Sequence, residues 1–250
     1  MIRRSFLTFL VLVTVPLHSK GQIQYRSESW WGLMTSGQIA DRWSLWIDSH
    51  YVPELFIIVR SGLTYHTPSE KLNFTAGYAN LGLTTPYSQG KLIRPEKRPW
   101  VQMIYRFPSK RPYNVSFRFR YDGRFRNQFD NNSLLDAYDF NHRFRFNSAI
   151  RYNIGQSVRL QSTFSLSMVN ETLLTTGPSF VDIPFEHRIF MLTGIQRGAS
   201  TISPGYHFRF QSTSSEQVRV LHGFVLWINL NYRFKDFKRH FLREFPADKI

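Results

Sequence analysis

From Tyr25 to Phe234 the chain alternates apolar and polar residues with a period of two and does not keep the 3.6-residue spacing of an amphipathic helix. Residues 113–121 show it most plainly. Tyr113, Val115, Phe117, Phe119 and Tyr121 fall on one face, and Asn114, Ser116, Arg118 and Arg120 on the other. In 140–152, Phe144, Phe146, Ile150 and Tyr152 oppose Asn141, Arg143, Arg145, Asn147 and Arg151. The same alternation runs through 158–168, with Arg159 on the polar face, and through 222–234, with Arg233 on it. Weaker alternation predicts strands at 27–39, 43–51, 56–65, 72–83, 100–107, 185–195 and 202–211.

Strand length and the chemistry of the two faces separate the possible β architectures. Many of these segments run 9 to 13 residues, against roughly 5–6 for strands of soluble proteins and roughly 9–11 for a tilted transmembrane strand. The apolar face is aromatic, and the polar face carries Arg, Asn, Ser and Gln rather than Lys and Glu. A barrel in lipid puts apolar residues outward and polar ones in the lumen. Trp43, Tyr51, Tyr113, Tyr121, Tyr152 and Tyr232 lie near strand ends, as interfacial girdles require. The expected fold is all-β, an antiparallel transmembrane β-barrel.

Connections alternate in length. Those at 108–112, 153–157 and 197–201 are short, and those at 84–99, 125–138 and 169–184 are long. Outer-membrane barrels show this asymmetry, with short periplasmic turns and longer external loops. Eleven strands are readable, whereas both termini on the periplasmic side require an even number. A crossing after Gln22 makes about twelve, the preferred count; a miscount near the N-terminus makes ten.

The N-terminus changes the picture of compartment. Arg3 and Arg4 precede an apolar run at 5–17, too short to span a bilayer as a helix but suited to a signal peptide. Ser19 and Gly21 are small residues placed for cleavage before Gln22. The organisation expected is a signal peptide at 1–21, a barrel at 22–234 and a basic tail at 235–250, localised to the outer membrane. In the tail, Phe237, Phe241 and Phe245 recur every four residues, as in a short amphipathic helix. There is no cysteine, so disulfide and thiolate chemistry are excluded.

At this level of detail the chain resembles the DUF2490 family, a group of unknown function found largely in Bacteroidetes and related Gram-negative bacteria. The likeness rests on an early tryptophan strand (Trp30, Trp31), the Arg60-Ser-Gly-Leu-Thr-Tyr65 strand and a Gly77-Tyr78 strand end. It continues through arginine-rich strands (Arg118 and Arg120, Arg143 and Arg145), Glu171 and a closing Asn-Tyr-Arg-Phe234. The resemblance implies an outer-membrane β-barrel and supplies no activity. The 56–59 run and the tail after Phe234 depart from the pattern.

Candidate chemistry is sparse. Lipolytic barrels place a serine two residues from a histidine on a lipid-facing strand. Here His142, His187, His207 and His222 are followed at that spacing by Phe144, Ile189, Arg209 and Phe224. Asp48 with His50, and Glu186 with Arg188, read as lumenal pairs. No spacing suggests a metal site, and no cofactor is expected.

The remaining signal is arginine. The formal net charge is +15. Arg60, Arg106, Arg118, Arg120, Arg143, Arg145, Arg151, Arg159, Arg209 and Arg233 are placed on the lumenal faces, as are Arg26 and Arg42. Glu28, Asp48 and Glu186 are the main acids there. A wet lumen of this kind favours anions; in a dry one the same side chains pack against each other. The expected function is an outer-membrane barrel without a catalytic site, serving as a small anion-preferring channel or a structural envelope protein. Its expected partners are outer-membrane lipid and small anions, not nucleic acid. Two alternatives stay open: a barrel enzyme acting on lipid or lipopolysaccharide, and a soluble basic β-sandwich binding an anionic polymer.

Overall fold

The computed structural model describes residues 22–84, 87–108, 112–130, 133–178, 184–214 and 217–233. The signal-type segment at 1–21 and the tail at 235–250 lie outside the described residues. Twelve strands follow one another: β1 (Gln22–Ser27), β2 (Trp30–Ala40), β3 (Trp43–Val52), β4 (Phe56–His66), β5 (Leu72–Leu83), β6 (Arg94–Phe107), β7 (Tyr113–Asp130), β8 (Ser133–Ser157), β9 (Ser162–Thr176), β10 (Phe185–Arg197), β11 (Ser200–Ser214) and β12 (Gln217–Arg233). No helix among the described residues is long and apolar enough to cross a membrane, which says nothing about strands.

Consecutive strands from β2 to β12 pair antiparallel, and β12 then pairs with β2 to close the sheet on itself. That closing pair is parallel, running from Val225 opposite Trp30 to Arg233 opposite Gln38. β1 also runs parallel to β12, from Gln22 opposite Gln217 to Ser27 opposite His222. β1 and β2 are therefore one crossing interrupted at Glu28 and Ser29. The wall is crossed eleven times, and an odd number of alternating strands can close only through a parallel pair. The count of about twelve strands holds. The expected even number of crossings is not found, because Gln22 and Arg233 lie at opposite ends of the barrel rather than at the same end.

The three short connections expected from the sequence share one end, and the long ones share the other. Several boundaries move. β9 begins at Ser162, and Val158 to Gln161 form the turn before it. The turn expected at 153–157 is the end of β8 instead. The long loop expected at 125–138 is mostly strand: β7 and β8 continue past their neighbours and pair with each other from Asn127 opposite Tyr138 to Asp130 opposite Ser133. β6 starts at Arg94 rather than Trp100. Its two prolines, Pro95 and Pro99, are in an otherwise regular ladder with β5.

Outward positions form an apolar belt that includes Leu33, Ile57, Val101, Phe117, Phe146, Leu166, Met191 and Phe224, all exposed. Aromatic pairs mark both rims. Trp43 with Tyr65 and Tyr113 with Tyr152 stand at the short-turn end, with ring centroids 5.1 Å apart in each pair. At the loop end Tyr121 bonds His142 at 2.8 Å and Tyr206 bonds His222 at 2.6 Å. The core is the lumen itself, and most of its buried residues are polar or charged.

Candidate functional site

The register of β6 to β11 stacks charged inward positions side by side. Glu96 is opposite Arg126, Trp100 opposite Asp122, Arg120 opposite Arg145, and Arg188 opposite both Glu171 and Arg209. Period-two alternation alone places these groups inside; ladder register decides which of them touch.

Each buried carboxylate then serves several guanidiniums. Glu96 accepts from Arg124 at 2.7 and 3.0 Å, from Arg126 at 2.7 Å and from Arg98. Glu171 accepts from Arg118 at 2.8 Å, Arg145 at 2.7 Å and Arg188 at 3.3 Å. Glu186 joins Arg188 at 2.6 Å to Arg209 at 3.0 Å. Asp122 holds Arg120 at 2.8 Å and lies 3.9 Å from Arg145. Asp48 takes Arg60 in a bidentate pair at 2.6 and 2.5 Å and sits 3.5 Å from His50. A charge in a dry interior is tolerated only when paired and hydrogen-bonded, and shared carboxylates meet that condition with few acids.

Aromatic rings meet this network at mid-barrel. Trp30 Nε1 donates to His50 Nδ1 at 3.0 Å, and Phe56, Phe190 and His207 pack edge-on against its ring at 5.7, 5.7 and 5.8 Å. Arg188 and Arg209 lie over the same indole at 5.1 and 5.5 Å, within cation–π range. Trp46 packs on Trp100, with Arg60 over the one and Arg120 over the other.

On the short-turn side of these rings the lumen is filled by small polar side chains, among them Ser44, Thr64, His66, Asn73, Thr75, Ser165, Thr201 and Ser203, all buried. Ser44 Oγ lies 2.9 Å from His66 Nε2, and His66 Nδ1 lies 3.1 Å from the Asn73 amide. The three residue types match a hydrolase triad. Their proton order does not. In the amide orientation that lets Asn73 Oδ1 accept from Arg106 at 2.9 Å, its nitrogen donates to His66 Nδ1. The ring proton is then on Nε2 and is given to Ser44, the reverse of what a general base requires. The trio also lies apart from the cavity.

Between the rings and the loop end lies a cavity of about 320 Å³. One wall is largely apolar, with Met34, Trp46, Phe56, Ile58, Leu81 and Leu83 from β2 to β5, interrupted by His50 and the Asp48–Arg60 pair. The facing wall from β6 to β12 is basic. Counting Arg60, ten arginines line the cavity, against the carboxylates of Asp48, Glu171 and Glu186. Arg143 differs from its neighbours: its Nε donates to Thr175 Oγ1 at 3.1 Å, and no carboxylate among the described residues pairs with it. The indole N–H groups of Trp46 and Trp227, whose rings line the cavity, are buried without an acceptor among the described residues. No group of three or more metal-ligating side chains occurs among the described residues.

A family of proteins of unknown function, DUF2490, matches residues 27–220. The chain belongs to the DUF2490 family. No curated protein and no solved structure matches it significantly. The match runs from the last residue of β1 into β12, so all the carboxylate hubs of the DUF2490 barrel lie inside it.

Of the arginines placed in the lumen from sequence, Arg60, Arg118, Arg120, Arg143, Arg145, Arg151 and Arg209 occupy inward, buried or half-buried positions of the DUF2490 barrel. Arg106 is inward at the short-turn rim, where it donates to the Glu70 carbonyl at 3.3 Å. Arg159 is a correction: it sits exposed on the turn before β9, because the alternation at 158–161 belongs to a turn. Arg26 and Arg42 are also exposed, Arg26 paired with Glu54 at 2.6 Å. The Arg233 side chain lies outside the described residues. Arg98, Arg124, Arg126 and Arg219, which also line the cavity, were not anticipated, nor were the lumenal acids Glu96, Asp122 and Glu171. The expected Asp48–His50 and Glu186–Arg188 pairs are both present.

Proposed function

We propose that this DUF2490 protein is an outer-membrane β-barrel that takes small anions into a lumenal chamber from the loop end, by binding rather than catalysis. The excess of guanidinium groups over carboxylates on the chamber wall carries the reading. Guanidiniums stay charged throughout the physiological range and present several donors to carboxylate or phosphate oxygens. The membrane part of the reading is supported by the apolar belt, which surrounds the barrel where a soluble monomer exposes only limited apolar patches. The signal-type N-terminus supports export.

The filled short-turn half favours a chamber closed at one end over a through-pore. A narrow anion-preferring channel is the second reading, favoured by the same arginines. Planar-bilayer recording of the refolded protein separates the two. Steady conductance with an anion-selective reversal potential assigns the channel. Silence, together with calorimetric binding of inorganic phosphate, assigns the chamber. A cation-selective reversal potential, or silence with no binding of inorganic or organic phosphate, overturns both.

A further inference from the structure

We infer that the chamber selects an amphipathic anion, an apolar body carrying one carboxylate or phosphate, with the charged group against Arg143 and the body against the β2–β5 wall. This rests on the anion-binding chamber proposed above and names what it takes. The first ground is the division of the cavity. A site for bare anions would be polar all round, because apolar walls cannot replace the water an inorganic ion gives up. Here Trp46, Phe56, Ile58 and Leu81 face a basic wall across about 320 Å³, a volume within the range of small-molecule sites. The second ground is Arg143. The neighbouring guanidiniums of Arg118, Arg145 and Arg188 converge on Glu171, so each already has a carboxylate partner inside the protein. Arg143 donates through Nε to a threonine hydroxyl, and Glu186 and Glu96 act on it only from beyond ion-pair distance, so its terminal nitrogens hold no carboxylate among the described residues. An inward, half-buried guanidinium in that state is a site for an anion from outside.

The test is calorimetric titration of the full-length barrel in nanodiscs, with empty discs as the blank. The probes are 2-naphthyl phosphate, inorganic phosphate and 2-naphthol. The expected result is that naphthyl phosphate binds about tenfold or more tightly than either fragment, the size of one charge-assisted contact or one buried ring. Arg143→Gln should weaken naphthyl phosphate by about tenfold, with heat-modifiable migration unchanged, and Arg143→Lys should restore part of the loss. Phe56→Ala should weaken naphthyl phosphate but not inorganic phosphate, which keeps the test open if Arg143→Gln fails to assemble. Equal binding of inorganic and naphthyl phosphate overturns the inference while leaving the anion chamber standing. Failure of both phosphates to bind removes the chamber as well. Naphthol binding as tightly as its phosphate, or a folded Arg143→Gln that binds normally, also overturns the inference. Dodecyl phosphate identifies the source: tighter binding than naphthyl phosphate assigns a lipid-derived ligand, and weaker binding an aromatic solute.

Discussion

Arg209 Nη1 donates to both carboxylate oxygens of Glu28, at 2.8 and 2.9 Å, across 181 residues of sequence. Glu28 occupies the break between β1 and β2, and its backbone N–H is bonded to the His222 carbonyl at 2.9 Å. The closing seam of the barrel is therefore tied by a buried ion pair where its backbone ladder is interrupted. Glu28→Gln should cost about 1.5–3 kcal/mol, the range for a hydrogen bond to a charged group. Arg26→Gln, which breaks the exposed pair with Glu54 on the same segment, should cost at most about 1 kcal/mol. The temperature at which the folded gel band converts to the unfolded one measures both. Equal shifts would mean that burial of Glu28 contributes nothing to the seam.

Glu96 holds three guanidiniums, so its loss differs in kind from the loss of any one of them. Glu96→Gln should destabilise the barrel by about 3–5 kcal/mol, because it leaves uncompensated buried charge. Arg126→Gln, at the more exposed edge of the same cluster, should be milder. Denaturant unfolding of the refolded proteins checks the order, and a milder Glu96→Gln would show that water or ions enter the cluster.

Phe117 is exposed on the outer face, and Arg118 bonds Glu171 within. Arg at a mid-bilayer outward position costs about 2–4 kcal/mol. Phe117→Arg should therefore impair assembly more than Arg118→Phe, which leaves Glu171 with Arg145 and Arg188. Folded yields in lipid vesicles give the comparison. Cysteines at the two positions add a second measure: labelling of 117 by a water-soluble thiol reagent in intact membranes, without labelling of 118, would reverse the assigned faces.

A side-chain carbon at Gly223 would stand 1.9 Å from the Glu28 carbonyl oxygen, a backbone atom that cannot swing aside. At Gly123 the nearest atom is 3.5 Å away, in a phenylalanine ring. Gly223→Ala should block closure and Gly123→Ala should be tolerated. Heat-modifiable migration reads both, and a normally folded Gly223→Ala would place the β1–β2 break elsewhere.

The faces of the wall were legible because alternation depends only on which way each residue points. The predicted limits of β5 match the observed strand, and Phe117, Phe146, Arg120 and Arg145 face as predicted. What failed depended on register or on local signals that mislead. Glu96 lies between Pro95 and Pro99, a composition that reads as a loop. Asp122 precedes Gly123, which reads as a turn, and Glu171 falls in a segment that reads as a long connection. Each is instead an inward ladder position, held there by the arginines it neutralises. At 158–161 alternation was present but belonged to a turn. The trio of Ser44, His66 and Asn73 spans three strands, and no spacing within one strand reveals it. The parallel seam is hidden from the sequence because alternation carries no information on which end of the barrel each terminus occupies.

That seam also sets the order of events in assembly. Apart from the pairings of β1 and β2 with β12, every pairing joins strands adjacent in sequence, so the wall can lengthen hairpin by hairpin through local contacts. The join of β1 and β2 to β12 is the step that waits for the whole chain. Until then the ribbon has two naked edges, β2 and β12, each with a row of unpaired amides. In hydrocarbon such groups are costly to leave open. A delayed ribbon would therefore pair its β12 edge with the β2 edge of another copy, and strand-exchanged oligomers are the misassembled product this topology favours.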